Sequence, residues 1–279
     1  MNDSEPIFIP FLKWAGGKRW LTSSQSHLFP PHFKTYIEPF LGSGAVFFYL
    51  QPQNAVLSDS NMDLINVYEQ IRLNWPKVCK VLRRHQYNHS KKYYYIERAR
   101  EHRVPHERAA QFIYLNRTCW NGLYRVNLRG EFNVPIGTKN SVLLESDNFE
   151  HMASLLAKIT LKVSDFEPVL DSAGKDDFLF VDPPYVTRHN CNGFLKYNEK
   201  IFGWDDQIRL AAAVKRAASR GAKILLTNAD HPSITSLYED VGSPQGIRAL
   251  VRSSVLAADS KQRGMITEFA LAVNYDPPK

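Results

Sequence analysis

The stretch Phe178-Leu-Phe-Val-Asp-Pro-Pro-Tyr185 decides how this chain is read. Phe178 to Val181 are apolar or β-favouring and read as a strand buried on both faces, the kind that parallel sheets use. In open α/β sheets ligands bind beyond the carboxyl ends of such strands, which is where Asp182, Pro183, Pro184 and Tyr185 fall. Two prolines fix φ and remove two backbone donors, so the turn is stiff and its carbonyls stay available as acceptors. A carboxylate, a rigid carbonyl and an aromatic face suit a planar base bearing an exocyclic amino group. Two acceptors would hold the amino hydrogens while Tyr185 stacks on the ring. The same residues also fit a plain strand and Pro-Pro turn whose Tyr packs into the core.

The surrounding chain has 279 residues, with 44% hydrophobic and 23% charged, the composition of a globular protein of one large or two smaller domains. No run approaches the length of a membrane span, and Met1-Asn-Asp-Ser-Glu-Pro6 lacks a secretory pattern, so a cytoplasmic location is expected. Cys79, Cys119 and Cys191 lie far apart without a Cys-x-x-Cys pair, which suggests neither a disulfide framework nor a zinc site. The net charge of +7 is unevenly placed. Between Arg72 and Arg108 eleven Lys and Arg face three Glu, an excess of eight that leaves the rest of the chain at minus one. Four histidines and four tyrosines are interleaved there, which fits a polyanion such as nucleic acid, or simply a solvated helical face.

Upstream, Phe11-Leu-Lys-Trp-Ala-Gly-Gly-Lys18 offers a stacking face in Trp14, close backbone approach at its glycines and a point charge in Lys18. It lacks the spacing of a Walker phosphate loop, and a plain Gly-Gly turn is the alternative. Thr35 to Tyr49 reads as strand, glycine loop and helix, with Gly42 and Gly44 able to admit a nucleotide at the helix start. The third glycine of the dinucleotide fingerprint is missing, which argues against NAD or FAD. Ala55 to Asp59 reads as a second strand ending in an acid, where a carboxylate commonly accepts ribose hydroxyls, although a lone Asp can equally be a cap.

From Asn61 the pattern turns helical, with Pro76 expected to interrupt it; further helices are predicted near Lys77 to His85, Ser90 to Arg103 and Pro105 to Leu115. Asn116 to Gly137 is crowded with Asn, Arg, Gly and aromatics, and Asn121-Gly122 and Arg129-Gly130 predict tight turns. Arg pairs with guanine, Asn with adenine, and Trp or Leu can wedge into a base stack, so this segment favours DNA contact over an ordinary polar hairpin. Downstream, Ile159 to Val163 reads as a strand followed by Asp165 and Phe166, which could hold an adenine or could be a capping acid beside a core aromatic. Ala222 to Leu226 reads as a buried strand closed by Thr227 to His231; Arg252 to Gly264 reads as a mobile loop and Ile266 to Tyr275 as a last strand.

Four motifs occur in order: Phe11 to Lys18, Glu38-Pro-Phe-Leu-Gly-Ser-Gly44, Asn121-Gly-Leu-Tyr-Arg-Val-Asn127 with Gly130-Glu-Phe-Asn-Val-Pro135, and Asp182 to Tyr185. Jointly they resemble the class α DNA adenine-N6 methyltransferases, most closely the GATC-methylating Dam type, over roughly residues 8 to 275. The resemblance implies an α/β fold: a Rossmann-like S-adenosylmethionine-dependent methyltransferase sheet, over 1–62 and 145–279. An inserted, mainly helical DNA-recognition domain, 63–144, would carry a β-hairpin at about 117–136. S-adenosyl-L-methionine would be the methyl donor and adenine in double-stranded DNA the acceptor, with no metal, no membrane and a monomeric chain expected. Cofactor contacts carry over to Trp14, Lys18, Asp59 and Asp182, assisted by Gly42, Gly44, Asp165 and Phe166. The catalytic groups are Asp182, Pro183 and Tyr185. On the recognition side Trp120 would fill the space of an expelled base, and Asn121, Leu123, Arg125 and Pro135 would read flanking pairs. Arg117, Asn127, Arg129, Asn133 and Lys139 complete the DNA-contacting set. Trp120 stands where Tyr is common in the nearest relatives, and Thr138 to Ser141 departs from the Arg-containing enterobacterial continuation, leaving one outer base of the target open. The alternatives are a silent DNA-binding regulator on the same fold, or a methyltransferase of RNA or cytosine N4.

Overall fold

A computed structural model of the chain describes residues 9–127, 130–186, 202–241, 247–253 and 265–277. Its strands are β1 (Tyr36–Glu38), β2 (Ala55–Asp59), β3 (Thr160–Val163), β4 (Phe178–Val181), β5 (Lys223–Ala229), β6 (Ile247–Ser253) and β7 (Met265–Val273). They form a seven-stranded sheet in the order β3-β2-β1-β4-β5-β7-β6, the α/β architecture that the sequence predicts. The described residues gather into two compact units, one within 1–19, 41–51 and 61–163, the other within 20–40, 52–60 and 164–279.

The second unit holds the centre of the sheet. β1 pairs parallel with β2 on one side and with β4 on the other, and β4 pairs parallel with β5. The chain therefore reverses its direction of travel across the sheet at β1, the kind of switch point beyond which open α/β sheets bind ligands. β7 runs antiparallel to both β5 and β6. All four residues of β4 are buried, as its unbroken apolar run requires. Helices α7 (Phe166–Asp171) and α8 (Trp204–Ser219) bring Leu170, Leu210 and Val214 into one apolar cluster with Ile37, Leu179, Val181 and Ile224. Each such side chain, fully buried, contributes roughly 1.5–3 kcal/mol.

β5 is longer than predicted. Thr227 and Asn228 lie within the strand rather than in a closing turn, because β7 continues the pairing as far as Ala229 opposite Glu268. Their polar side chains are fully buried and find partners inside the protein, so polarity at these positions marks an internal network rather than a loop.

In the first unit, α3 (Met62–Asn88) opens on Asn61, whose side chain accepts from the amides of Asp63 and Leu64. The helix is interrupted just before Pro76, close to where the sequence predicts. Asn74 takes the non-helical break at φ −141°, so Pro76 falls in the first turn beyond the kink, where its missing N–H costs no bond. Helix α4 (Lys91–Arg98) stops short of the predicted Arg103, because the Gln111 side-chain amide caps the carbonyls of Glu97 and Arg100. Helix α5 (Pro105–Thr118) begins with proline at its first turn and leads into the Asn- and Arg-rich segment. Arg129 and the stretch 254–264, which includes most of the predicted mobile loop, lie outside the described residues, as does Cys191.

Candidate active site

Three acids end three neighbouring strands of the second unit: Glu38 on β1, Asp59 on β2, and Asp182 just beyond β4. Glu38 is buried and accepts a hydrogen bond from Tyr36 Oη at 2.8 Å. Burial pushes its carboxyl well above the usual range; the Tyr36 bond opposes this, and the charges of Asp182 and Asp59 add to it. Asp59 and Asp182 are both partly exposed, so the carboxyl edge of the sheet presents an electronegative surface.

The turn after β4 is held from several sides. Thr227 Oγ1 donates to Asp182 Oδ1 at 2.9 Å and so fixes the carboxylate. The buried Gln207 of α8 reaches the carbonyls of Pro184 and Val186, each at 3.4 Å, while its own oxygen accepts from Asn228 at 3.1 Å. Tyr185 Oη donates to Glu268 Oε2 of β7 at 2.7 Å. Burial, together with the charges of Asp182 and Glu268, raises the Tyr185 phenol well above its ordinary range, so it stays protonated. Thr227, Gln207, Asn228 and Glu268 were not among the predicted site residues. The only signal for them was the placement of polar residues in otherwise apolar helix and strand patterns.

At the end of β3, Asp165 caps α7 by accepting from the Glu167 amide and pairs with Arg209 through both carboxylate oxygens. Phe166 is buried against Phe40, with ring centres 5.4 Å apart, and the Arg209 guanidinium lies over it. This is the arrangement of a capping acid beside a core aromatic, the plainer of the two readings that the sequence allowed.

In the first unit, Gly42 sits at φ +48°, and a Cβ there would meet the Trp14 ring at 2.7 Å, so glycine is required on two counts. The Gly42 carbonyl accepts from Tyr68 Oη, and Gly44 caps the short helix α2 (Ala45–Leu50) at φ +63°. Trp14 joins a ring stack with Tyr124 and Phe112, at 5.6 Å and 6.4 Å. Lys18 is buried, its Nζ donating to the Gly16 carbonyl at 2.8 Å.

The recognition segment of the same unit is an antiparallel loop pinned by bridges at Cys119–Ile136 and Val126–Phe132 rather than by extended strands. Both predicted turns have the backbone that their sequence asks for: Asn121 and Gly122 at φ +55° and +66°, and Gly130 at +81°. Trp120 is 44% exposed; Asn121, Pro135 and Lys139 are exposed, and Leu123, Arg125 and Asn133 partly so. Arg125 Nε donates to Asn133 Oδ1 at 2.8 Å, which orients the guanidinium. Asn127 closes the turn instead, bonding Glu131 through both ends of its amide. Lys139 lies beside Lys13, whose amine is pushed down by burial and by this neighbour.

Arg117 departs from expectation. It is buried, paired with both oxygens of Asp147 at 2.6 Å and bonded to the carbonyls of Phe11 and Val142. Those bonds occupy its fork, so it braces the base of the loop and does not present itself to DNA.

A family model described as the D12 class N6 adenine-specific DNA methyltransferases matches residues 14–250. The chain is 37% identical over 275 residues to a Type II methyltransferase of Lactococcus lactis subsp. cremoris, covering 95% of each chain. It is 37% identical to a Type II methyltransferase of Methanocaldococcus jannaschii, over 78% of this chain and 83% of that one. A DNA adenine methylase of Haemophilus influenzae is 34% identical, with 82% of each chain covered. With this likeness spanning both units and the Asp-Pro-Pro-Tyr turn among the residues matched, the chain belongs to the D12 class of N6 adenine-specific DNA methyltransferases.

Proposed function

We propose that this enzyme transfers a methyl group from S-adenosylmethionine to N6 of an adenine in duplex DNA, within GATC or a related short site, after rotating the base into the Asp182–Tyr185 turn. The observation that carries the reading is the electronegative carboxyl edge formed by Asp59 and Asp182 around the switch point at β1. Such an edge suits a ligand bearing an ammonium and a sulfonium cation together with ribose hydroxyls. Asp59 would take the hydroxyls, and Asp182, Lys18, Trp14 and the Gly42–Gly44 turn would complete the binding set. When bound, the cofactor supplies a methyl group activated by positive sulfur.

The protein's part is positioning. Asp182 and the Pro183 carbonyl accept the two N6 hydrogens and shift lone-pair density toward nitrogen, while Tyr185, protonated and tied to Glu268, offers its ring to the base. Rotating the adenine out costs roughly a few kcal/mol. Trp120, the most exposed aromatic of the recognition loop, would fill the gap, with Asn121, Leu123, Arg125 and Pro135 reading adjacent pairs. Lys139 would contact phosphate, which relieves its repulsion of Lys13.

Incubation with tritiated S-adenosylmethionine and plasmid duplex tests the reading, with methylation-aware sequencing to identify the base and its context. The wild type should label adenine in a short fixed site, and Asp182→Ala should not. Near-normal transfer by Asp182→Ala, or label on another base, would overturn it.

A further inference from the structure

The second half of α3 carries a feature that the recognition loop does not account for. After the kink at Asn74, Lys77, Lys80, Arg84 and Tyr87 follow at alternating spacings of three and four, which sets them on one stripe, with Arg83 beside it. All five are exposed, Tyr87 at 91%, whereas Val78, Val81, Leu82 and His85 on the other side are buried. Packing of that inner face fixes the stripe outward. Like charges three and four residues apart repel and weaken the helix that carries them. Basic side chains on α8 are matched: Arg209 with Asp165, Glu167 and Asp206, Arg216 with Glu167 and Asp171, and Lys215 with Asp240. On the stripe, among the described residues, only Arg84 has an acidic partner, Glu107 at 3.7 Å.

A row of mutually repelling cations, held rigid and, apart from Arg84, without an acidic partner among the described residues, is complementary to a polyanion. From Lys77 to Tyr87 the helix rises about 15 Å, enough to follow several phosphates of one DNA strand. Gln86, on the same turn, donates to the Asn140 carbonyl and accepts from the Val142 amide, tying this helix to the segment that carries Lys139. We propose that this face of α3 grips the sugar–phosphate backbone of duplex DNA without regard to sequence, as a second contact beyond the recognition loop. The inference rests on the DNA-methylating function proposed above.

The test is a salt titration of binding to a duplex that lacks the methylation site, comparing wild type with Lys77→Gln/Lys80→Gln/Arg83→Gln. Each phosphate contact contributes roughly 0.9 to the slope of log affinity against log salt, so the triple variant should lie shallower by about two to three. It should bind every duplex more weakly and methylate the same sequence. An unchanged slope overturns the proposal. So does an equal loss in Lys158→Gln/Lys175→Gln/Lys215→Gln, since that would trace the effect to net charge alone. If the triple variant melts early, Lys80→Glu alone replaces it, and an unaltered slope there is equally fatal. Failure of the wild type to methylate DNA would sink the enzymatic reading instead, and the binding slopes would still judge this surface separately.

Discussion

In the proposed mechanism the chemistry depends on where the Asp182 carboxylate points, and Thr227 holds one of its oxygens. Thr227→Val keeps the shape of the side chain and removes the donor. A hydrogen bond to a charged group is worth ~1.5–3 kcal/mol, so single-turnover methylation should slow roughly ten- to a hundredfold, with DNA affinity little changed. Gly42→Ala places a Cβ against the Trp14 ring on a left-handed backbone; thermal melting should fall, and methyl-donor binding by calorimetry should weaken with it. Arg117→Leu strips the partly buried Asp147 of its partner, which typically costs up to ~3–5 kcal/mol in urea unfolding, while the methylated sequence stays the same. A changed sequence preference there would return Arg117 to the DNA-reading set. These residues also mark how far sequence alone reaches. The place of Asp182 at the end of a buried strand was legible because a preceding apolar run and two following prolines mark it. Thr227 lies 45 residues away and Glu268 lies 83 residues from Tyr185, separations that no local pattern encodes. Arg117 was misread because nothing local announces Asp147.

Among the elements, the helical unit conceals a pH liability. His85 of α3 is fully buried, stacked on Tyr114 and bonded to Tyr93 Oη at 2.8 Å. Burial first, then the charges of Arg84, His102 and Arg100, hold its imidazole down to about 3. Glu97 lies 4.0 Å from its Nε2 but also engages His102 and Arg100, which limits what it can offer. The unfolded chain protonates this His near its ordinary 6.5, whereas the folded chain resists down to about 3. The stabilisation is therefore complete above pH 6.5 and is lost progressively as pH falls toward 3. At pH 5 the loss is about 2 kcal/mol. Urea unfolding at pH 7 and pH 5 should show it, and His85→Phe should flatten the difference. Many element types were readable from periodicity, but β6 was not, since its end at Arg252 and Ser253 reads as loop. Other ends were set by distant groups: Gln111 stops α4, and β7 prolongs β5. Pro76 announced a break, and the backbone makes it two residues earlier, at Asn74.

For the molecule as a whole, the order of strands brings three acids to one edge, and that edge should respond to ligand as a unit. Saturation with S-adenosylhomocysteine at a hundredfold over its dissociation constant should add about 2.7 kcal/mol of stability, seen as a rise in melting temperature. Asp59→Ala should abolish most of that rise; a full shift in the variant would remove Asp59 from the binding set. The place of β7, inserted between β5 and β6, has a consequence during synthesis on the ribosome. Tyr185 is translated long before Glu268, and β6 emerges before the neighbour that joins it to β5. Until β7 leaves the exit tunnel, the phenol lacks its bond to Glu268 and β5 keeps a bare edge, so the turn after β4 gains this support only once β7 has docked.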